Sequence, residues 1–224
     1  MNSWNSEAGD RVAVLDALAD VLKAMANPRR LGLVEVLAQG EQSVDALARL
    51  SGIGVTSVSA HLQTLKRAGL VECRREGTTV FYRLAGDDVA RLFVVAQQVG
   101  MKRSSHLRDE VGRYLGDPTT SVVGTAAIAD DALVLDVRRA EEYAAGHFGG
   151  AVSIPADELP DRWRELPDDR PVVIYCRGEL CRLARTSAQW LRERGFDATA
   201  LADGVLEWRA EGEVDLERDA DPRS

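Results

Sequence analysis

Disulfide frameworks, membrane spans, repeats and metal clusters all leave marks in a sequence, and this one carries few of them. Its 224 residues include three cysteines, Cys73, Cys176 and Cys181, and three histidines. No apolar run approaches the roughly 20 residues needed to cross a bilayer, and the amino terminus lacks an apolar signal-like stretch. These absences predict a cytoplasmic protein with no membrane partner. There thiols are kept reduced, so three cysteines do not form a disulfide framework. No internal repeat and no low-complexity tract is present. His106 stands near Asp109 and Glu110 without a second histidine at ligand spacing, so it reads as a solvated surface group. No metal site and no cofactor is expected.

What is present divides in two. The net charge of −8 conceals an asymmetry: residues 1–116 carry 15 Lys and Arg against 13 Asp and Glu, a net of +2, whereas residues 117–224 carry 13 against 23, a net of −10. Only the first half suits a polyanionic partner, and only through a local patch. Gly116-Asp-Pro-Thr-Thr-Ser121 is rich in turn formers and marks the change of charge sign and of pattern. The expected organisation is a first domain over 1–116, a linker over 117–124 and a second domain over 125–224.

In the first half, apolar residues recur at helical spacing from Val12 to Ala26, and Asn27-Pro28 ends that helix. Leu31–Ala38 predicts a second helix and Val44–Leu50, capped by Ser43, a third. Ser51-Gly-Ile-Gly54 makes a tight turn into a helix over Val55–Arg67. Its inner face is Val58, Leu62 and Leu65; its outer face offers small hydroxyls, His61, Lys66 and Arg67. Leu70–Leu84 predicts two strands joined at Arg75-Glu-Gly77, a hairpin with a basic tip, and a single long helix is expected from Asp87 to Leu115. Short helix, glycine turn, polar-faced helix and basic hairpin fit a mainly α winged helix-turn-helix. Small side chains let such a helix lie close in a major groove.

Met25-Ala-Asn-Pro-Arg-Arg-Leu31, Ser57-Val-Ser-Ala-His-Leu-Gln-Thr-Leu-Lys-Arg-Ala-Gly-Leu-Val71 and Gly77-Thr-Thr-Val-Phe-Tyr-Arg-Leu84 resemble the ArsR family of bacterial winged-helix repressors. The resemblance implies a homodimer joined through the first and last long helices and a double-stranded DNA operator. It places Thr56, Ser57, Ser59, Ala60, His61, Lys66 and Arg67 on the DNA, with Arg74 and Arg75 on phosphates. Cys73, on a wing strand without a partner cysteine nearby, reads as structural.

In the second half, strands and helices alternate, as in a small α/β domain with a parallel sheet, whose ligand site lies at the carboxyl ends of the strands. Pro171-Val-Val-Ile-Tyr-Cys-Arg-Gly-Glu-Leu-Cys-Arg182 runs from a buried-type strand through a turn into a helix expected over Arg182–Arg194. Cys176 sits in that turn. There the amides of the loop and of the first helical turn, with Arg177 and Arg182, are expected to favour a Cys176 thiolate.

Leu135-Asp-Val-Arg138, Gly146-His-Phe-Gly-Gly-Ala-Val-Ser-Ile-Pro155, Val173-Ile-Tyr-Cys-Arg-Gly178 and Leu201-Ala-Asp-Gly204 resemble a single rhodanese domain. This implies a persulfide on Cys176, with Arg177 and Arg182 assisting, taken from thiosulfate or polysulfide and passed to a thiol acceptor. Gly178, Glu179, Leu180 and Cys181 would form the substrate loop. Asp136, Arg138, Glu142 and His147 would be scaffold. Cys181, at the start of the helix, is either a resolving thiol for a sulfur carried on Cys176 or a small core residue. The loop is longer than usual and matches the C-x5-R spacing of rhodanese-fold phosphatases and arsenate reductases, although Glu179 puts a negative charge where a dianion would bind. The expected whole is a transcriptional regulator whose rhodanese domain makes or senses reactive sulfur. The alternatives are a sulfurtransferase with an accessory winged helix, or an oxyanion enzyme.

Overall fold

Residues 3–116, 122–212 and 214–217 are described by the computed structural model, in two compact units: residues 1–37 with 41–89, and 38–40 with 90–224. The expected linker, 117–124, falls largely on residues 117–121, outside the described residues.

Helix α1 spans Ser3–Met25 and α2 Pro28–Leu37. Between them the Asn27 side chain accepts from the amides of Arg29 (3.0 Å) and Arg30 (3.3 Å), capping α2 with Pro28 in its first turn. A two-residue strand, β1 (Gln42–Ser43), precedes α3 (Val44–Ser51), whose amino end is capped by Ser43 accepting from the Ala46 amide at 3.1 Å. Gly52, at φ 65°, ends α3 in the left-handed conformation that glycine adopts without a Cβ penalty. The chain then enters α4 (Val55–Arg67). Val58, Leu62 and Leu65 of α4 are fully buried with Leu33, Val34 and Leu47. Burying each leucine is worth about 1.5–3 kcal/mol, which locks the orientation of the outer face.

Strands β2 (Val71–Glu76) and β3 (Thr79–Leu84) form the antiparallel wing, turning at Gly77 (φ 58°). β1 adds to β3, giving the order β1-β3-β2; two residues are too short for a period-2 signal, so this strand escapes sequence reading. The expected single helix over Asp87–Leu115 is instead two, α5 (Asp87–Arg103) and α6 (Ser105–Leu115). Ser104 stands between them with extended backbone and accepts from the Leu107 amide at 3.1 Å, so it starts a new helix rather than continuing the old one.

The second unit's sheet is built from β4 (Val122–Val123), β5 (Leu133–Asp136), β7 (Val152–Ser153), β8 (Val172–Tyr175) and β9 (Ala198–Leu201). Helix α7 (Ala140–Ala145) and β6 (His147–Phe148) lie between β5 and β7, and α8 (Leu159–Arg162) follows β7. Helices α9 (Leu183–Arg192) and α10 (Val205–Glu211) follow β8 and β9, and β10 (Leu216–Glu217) pairs antiparallel with β6. All pairings in the five-stranded sheet are parallel, in the order β4-β9-β8-β5-β7. Central β8 is buried along its whole length, as an uninterrupted apolar strand should be. From β5 the chain steps outward to β7, then returns to β8 on the other side of β5. The carboxyl ends of β5 and β8 therefore flank the topological switch point, where open α/β sheets bind ligands.

Candidate functional site

In the winged unit, Thr56, Ser57, Ala60, Lys66 and Arg67 of α4 are exposed, and Ser59 and His61 are half-buried. All seven residues expected to reach DNA thus lie off the buried stripe of α4. On the wing, Arg75 is exposed and its Nε donates to the Gly77 carbonyl at 3.1 Å. Arg74 is exposed as well but tied back: it pairs with Glu41 (2.6 Å) and Glu76 (2.7 Å) and stacks over Phe81. The charge expected to meet phosphate at Arg74 is thus shared with two carboxylates of the same unit. Cys73 is half-exposed on β2, and Lys66 Nζ donates to its sulfur at 3.0 Å.

The cysteine loop is assembled at the switch point. After β8 the chain enters the turn 176–182, with Arg182 exposed at the amino cap of α9. Both thiols are free. Cys176 is 3% exposed and packs with Leu135, Val137, Ala184 and Ala188, whereas Cys181 is half-buried at the edge of the same cluster. Cys176 Sγ lies 3.4 Å from the Cys181 carbonyl oxygen, to which its thiol donates. Sequence reasoning expects the thiolate on Cys176, and the burial of that thiol works against it. Burial pushes the Cys176 thiol well up, followed by its hydrogen bond to Cys181, and the amides of Gly178 and Ala184 do not offset them. Cys181 is instead lowered to about 7, first by the hydrogen bond from Cys176, then by the amides of Leu183 and Arg177 and the Arg177 charge. Helix-terminal amides do converge on the loop, but the apolar packing around Cys176 outweighs them.

Arg177 has a carboxylate partner of its own. Arg177 Nε meets Glu142 Oε1 at 2.6 Å, and Glu142 is 1% exposed, so this guanidinium is held against α7 and acts on Cys181 rather than Cys176. Glu142 is therefore scaffold for the loop itself. Asp136 and Arg138 form a fully buried pair (2.6 Å) at the end of β5, with Arg138 also donating to the Gly146 carbonyl at 2.8 Å. His147 donates from Nδ1 to the Tyr143 carbonyl (2.9 Å) and stacks on Tyr143.

Two residues beneath the loop were not singled out from sequence. Glu207 Oε1 accepts from the Glu179 amide (3.2 Å) and Oε2 from the Gly204 amide (3.0 Å); burial raises its carboxyl to about 7. The signal was available, since Gly204 and Glu207 stand at the N-cap and N3 positions of α10, the spacing of a capping box. Gly204 presses against the loop backbone: a Cβ there would meet the Cys176 carbonyl oxygen and come within 2.6 Å of the Gly178 nitrogen. Gly178 in turn faces the Glu207 carboxylate, which a Cβ would approach to 2.7 Å.

These folds define a winged helix-turn-helix DNA-binding unit and a rhodanese-type α/β unit. Comparison with known proteins agrees. The rhodanese-like domain family matches residues 124–211, and a family described as HVO_A0114 matches residues 25–89. The HTH-type transcriptional regulator Rv0324 of Mycobacterium tuberculosis is 44% identical over 206 residues, covering 90% of this chain and 91% of its own. The biofilm growth-associated repressor of Agrobacterium fabrum is 47% identical over 75 residues, covering 34% of this chain and 64% of its own. Among solved structures, the homodimeric winged helix-turn-helix DNA-binding domain of Mb0332 from Mycobacterium bovis shares 52% identity at a TM-score of 0.40, covering 43% of this chain and 89% of that one. The chain belongs to the ArsR-family winged helix-turn-helix transcriptional regulators that carry a C-terminal rhodanese domain. No described helix is long and apolar enough to cross a membrane.

Proposed function

We propose that this regulator binds its operator as a homodimer and takes up sulfane sulfur covalently at the Cys176–Cys181 loop, and that loading alters operator affinity. The observation carrying the reading is the pair of free thiols in one turn at the switch point of a rhodanese-type sheet, with the Cys176 thiol donating to the Cys181 carbonyl oxygen at 3.4 Å. A thiolate is the form that attacks sulfur. Dimerisation is supported by α1, where Val12, Val14, Leu15, Leu18 and Leu22 are each about half exposed, between 47% and 67%. That apolar stripe favours a second copy, because water leaves it unpaid.

The oxyanion alternative is disfavoured by the loop's own hydrogen bonds. The Glu179 amide is engaged by Glu207 and the Cys181 amide by the Gly178 carbonyl (2.9 Å), so two donors that would cradle a tetrahedral dianion face inward. A buried carboxylate at Glu207 would also repel it.

The test is intact mass of the full-length protein before and after thiosulfate, with operator binding measured on the same samples and the Cys176→Ser/Cys181→Ser double variant as control. The expected result is a cysteine-dependent mass change accompanied by a shifted operator affinity. Equal affinity of the reduced and treated forms sinks the regulatory link; an unchanged mass sinks the sulfur chemistry.

A further inference from the structure

Resting on the sulfur uptake proposed above, we infer that Glu179 is a specificity-determining residue of the loop, slowing uptake from thiosulfate so that the loop draws its sulfur from a thiol-borne donor, a hydropersulfide R–S–SH. The favoured donor then belongs to the class that offers one transferable sulfur and carries no sulfonate group on it.

Thiosulfate is a dianion whose oxygens need donors or cations beside the attacking thiol. In this turn several of them are already engaged. Arg177 gives Nε and Nη2 to the Glu142 carboxylate at 2.6 and 3.0 Å, and Glu142 is 1% exposed. The Glu179 amide donates to Glu207 Oε1 at 3.2 Å and the Cys181 amide to the Gly178 carbonyl at 2.9 Å. Arg182 is exposed at the amino cap of α9, where water and salt screen its charge. Against these cations the loop sets a carboxylate of its own. Glu179 stands three positions after Cys176, and its Oε2 accepts from Gln97 Nε2 at 2.6 Å, both residues belonging to the second unit. Gln97 is 8% exposed, so the carboxylate is anchored to a buried group; being neutral, the Gln97 amide orients that charge without cancelling it. A fixed like charge beside a site slows the entry of a dianion by about tenfold or more. A hydropersulfide meets the same carboxylate with at most one charge at its reacting end and needs no oxyanion donors. Its bare sulfur also suits the packing of Cys176 among Leu135, Val137, Ala184 and Ala188.

The uptake step balances with the donor alone. A thiolate of the loop attacks the outer sulfur of R–S–SH and forms a new S–S bond to it. The donor's own S–S bond breaks, and the thiolate R–S⁻ leaves with the bonding pair. The proton stays on the transferred sulfur, giving a protein persulfide, and no oxidant or reductant takes part. With thiosulfate the same attack expels sulfite with the bonding pair and leaves the persulfide as its anion.

The experiment follows the initial rate of sulfur uptake by reduced full-length protein, using intact mass with peptide mapping to the loop. Thiosulfate and cysteine hydropersulfide are compared at equal concentration, at low and high salt. Wild type is expected to load at least about tenfold faster from the hydropersulfide, and its thiosulfate rate to rise as salt screens Glu179. Glu179→Gln keeps an acceptor for Gln97 and loses the charge. It should raise the thiosulfate rate by about tenfold, change the hydropersulfide rate by less than about twofold and weaken the salt response. Glu179→Lys should go further in the same direction. Glu193→Gln, which removes an exposed charge at the far end of α9, should leave the ratio of the two rates as it was, separating the local charge from the net charge. Equal wild-type rates from the two donors, or a Glu179→Gln variant that fails to raise the thiosulfate rate selectively, overturns the inference and leaves sulfur uptake standing. No mass gain from either donor overturns both.

Discussion

The Cys181 sulfur is lowered to about 7 by a thiol donor, two amides and Arg177, and the Arg177 contribution can be altered through its partner. Glu142 holds Arg177 at 2.6 Å. In Glu142→Gln the guanidinium keeps its position but loses its counter-charge, so its pull on Cys181 grows and the thiolate persists to lower pH. The pH midpoint for alkylation of Cys181 by iodoacetamide should sit near 7 in wild type, with rate rising as pH rises, and should move down in the variant; an upward or absent shift refutes the role given to Arg177. Glu207 supplies the opposite case. Its folded pKa, about 7, lies above the ordinary 4.5. The folded state therefore binds this proton more tightly than the unfolded one, and the stability linked to it, of order 3 kcal/mol, is present below pH 4.5 and lost as pH rises through 7. Glu207→Gln should flatten that portion of the stability profile, measured by urea unfolding across pH. Gly204 is constrained by space and not by its dihedral: at φ −152° any residue could follow the backbone, but a Cβ would sit 2.6 Å from the Gly178 nitrogen. Gly204→Ala should cost about 1–3 kcal/mol and abolish sulfur uptake, while operator binding by the reduced protein persists.

Among the elements, the end of β5 depends on a buried charge pair. Removing the guanidinium in Arg138→Ala would strand Asp136, which is fully buried, and should destabilise the rhodanese unit by about 3–5 kcal/mol. Trp163, Trp190 and Trp208 all lie in that unit and give the fluorescence signal to follow. On α4, replacing Lys66 by Ala should weaken binding to all DNA sequences alike and reduce the salt slope by about one; an effect confined to one operator would make Lys66 a base reader instead. Which elements were legible depends on where the information lies. α4 was readable to the residue, because Gly54 precedes it, Val58, Leu62 and Leu65 set its period, and Ala68-Gly69 follows. The break at Ser104 was not, although Lys102-Arg103 followed by Ser is a helix end and a cap in sequence, and the apolar pattern lapses from Lys102 to His106; the apolar residues resuming at Leu107 masked it. The cysteine loop was located from its strand and turn alone. The burial of Cys176 that works against its ionisation was hidden, because it comes from packing contributed by Leu135, Val137 and Ala184, residues distant in sequence or in the next helix.

For the whole molecule, the charge division seen in sequence has a structural counterpart: α4 and the wing belong to the half with net charge +2 and the thiol loop to the half with net charge −10. An acidic half is expected to discourage the rhodanese unit from lying on DNA, which is consistent with the proposal that recognition falls to α4 and the wing. Dimerisation is tested by placing a charge in the α1 stripe. Leu18, 54% exposed, tolerates glutamate in a single chain but not against a second copy. Leu18→Glu should therefore shift sedimentation toward the monomer and weaken operator binding with little change in the fold of either unit; a dimeric variant would relocate the interface. The same stripe has a consequence for gene control. When two chains must meet before either half of a two-fold operator is held, occupancy at low expression rises with the square of the number of chains, so a cell that halves its supply loses about three quarters of its bound operators. On that reading, a regulator with so bare a first helix is a gauge of its own abundance.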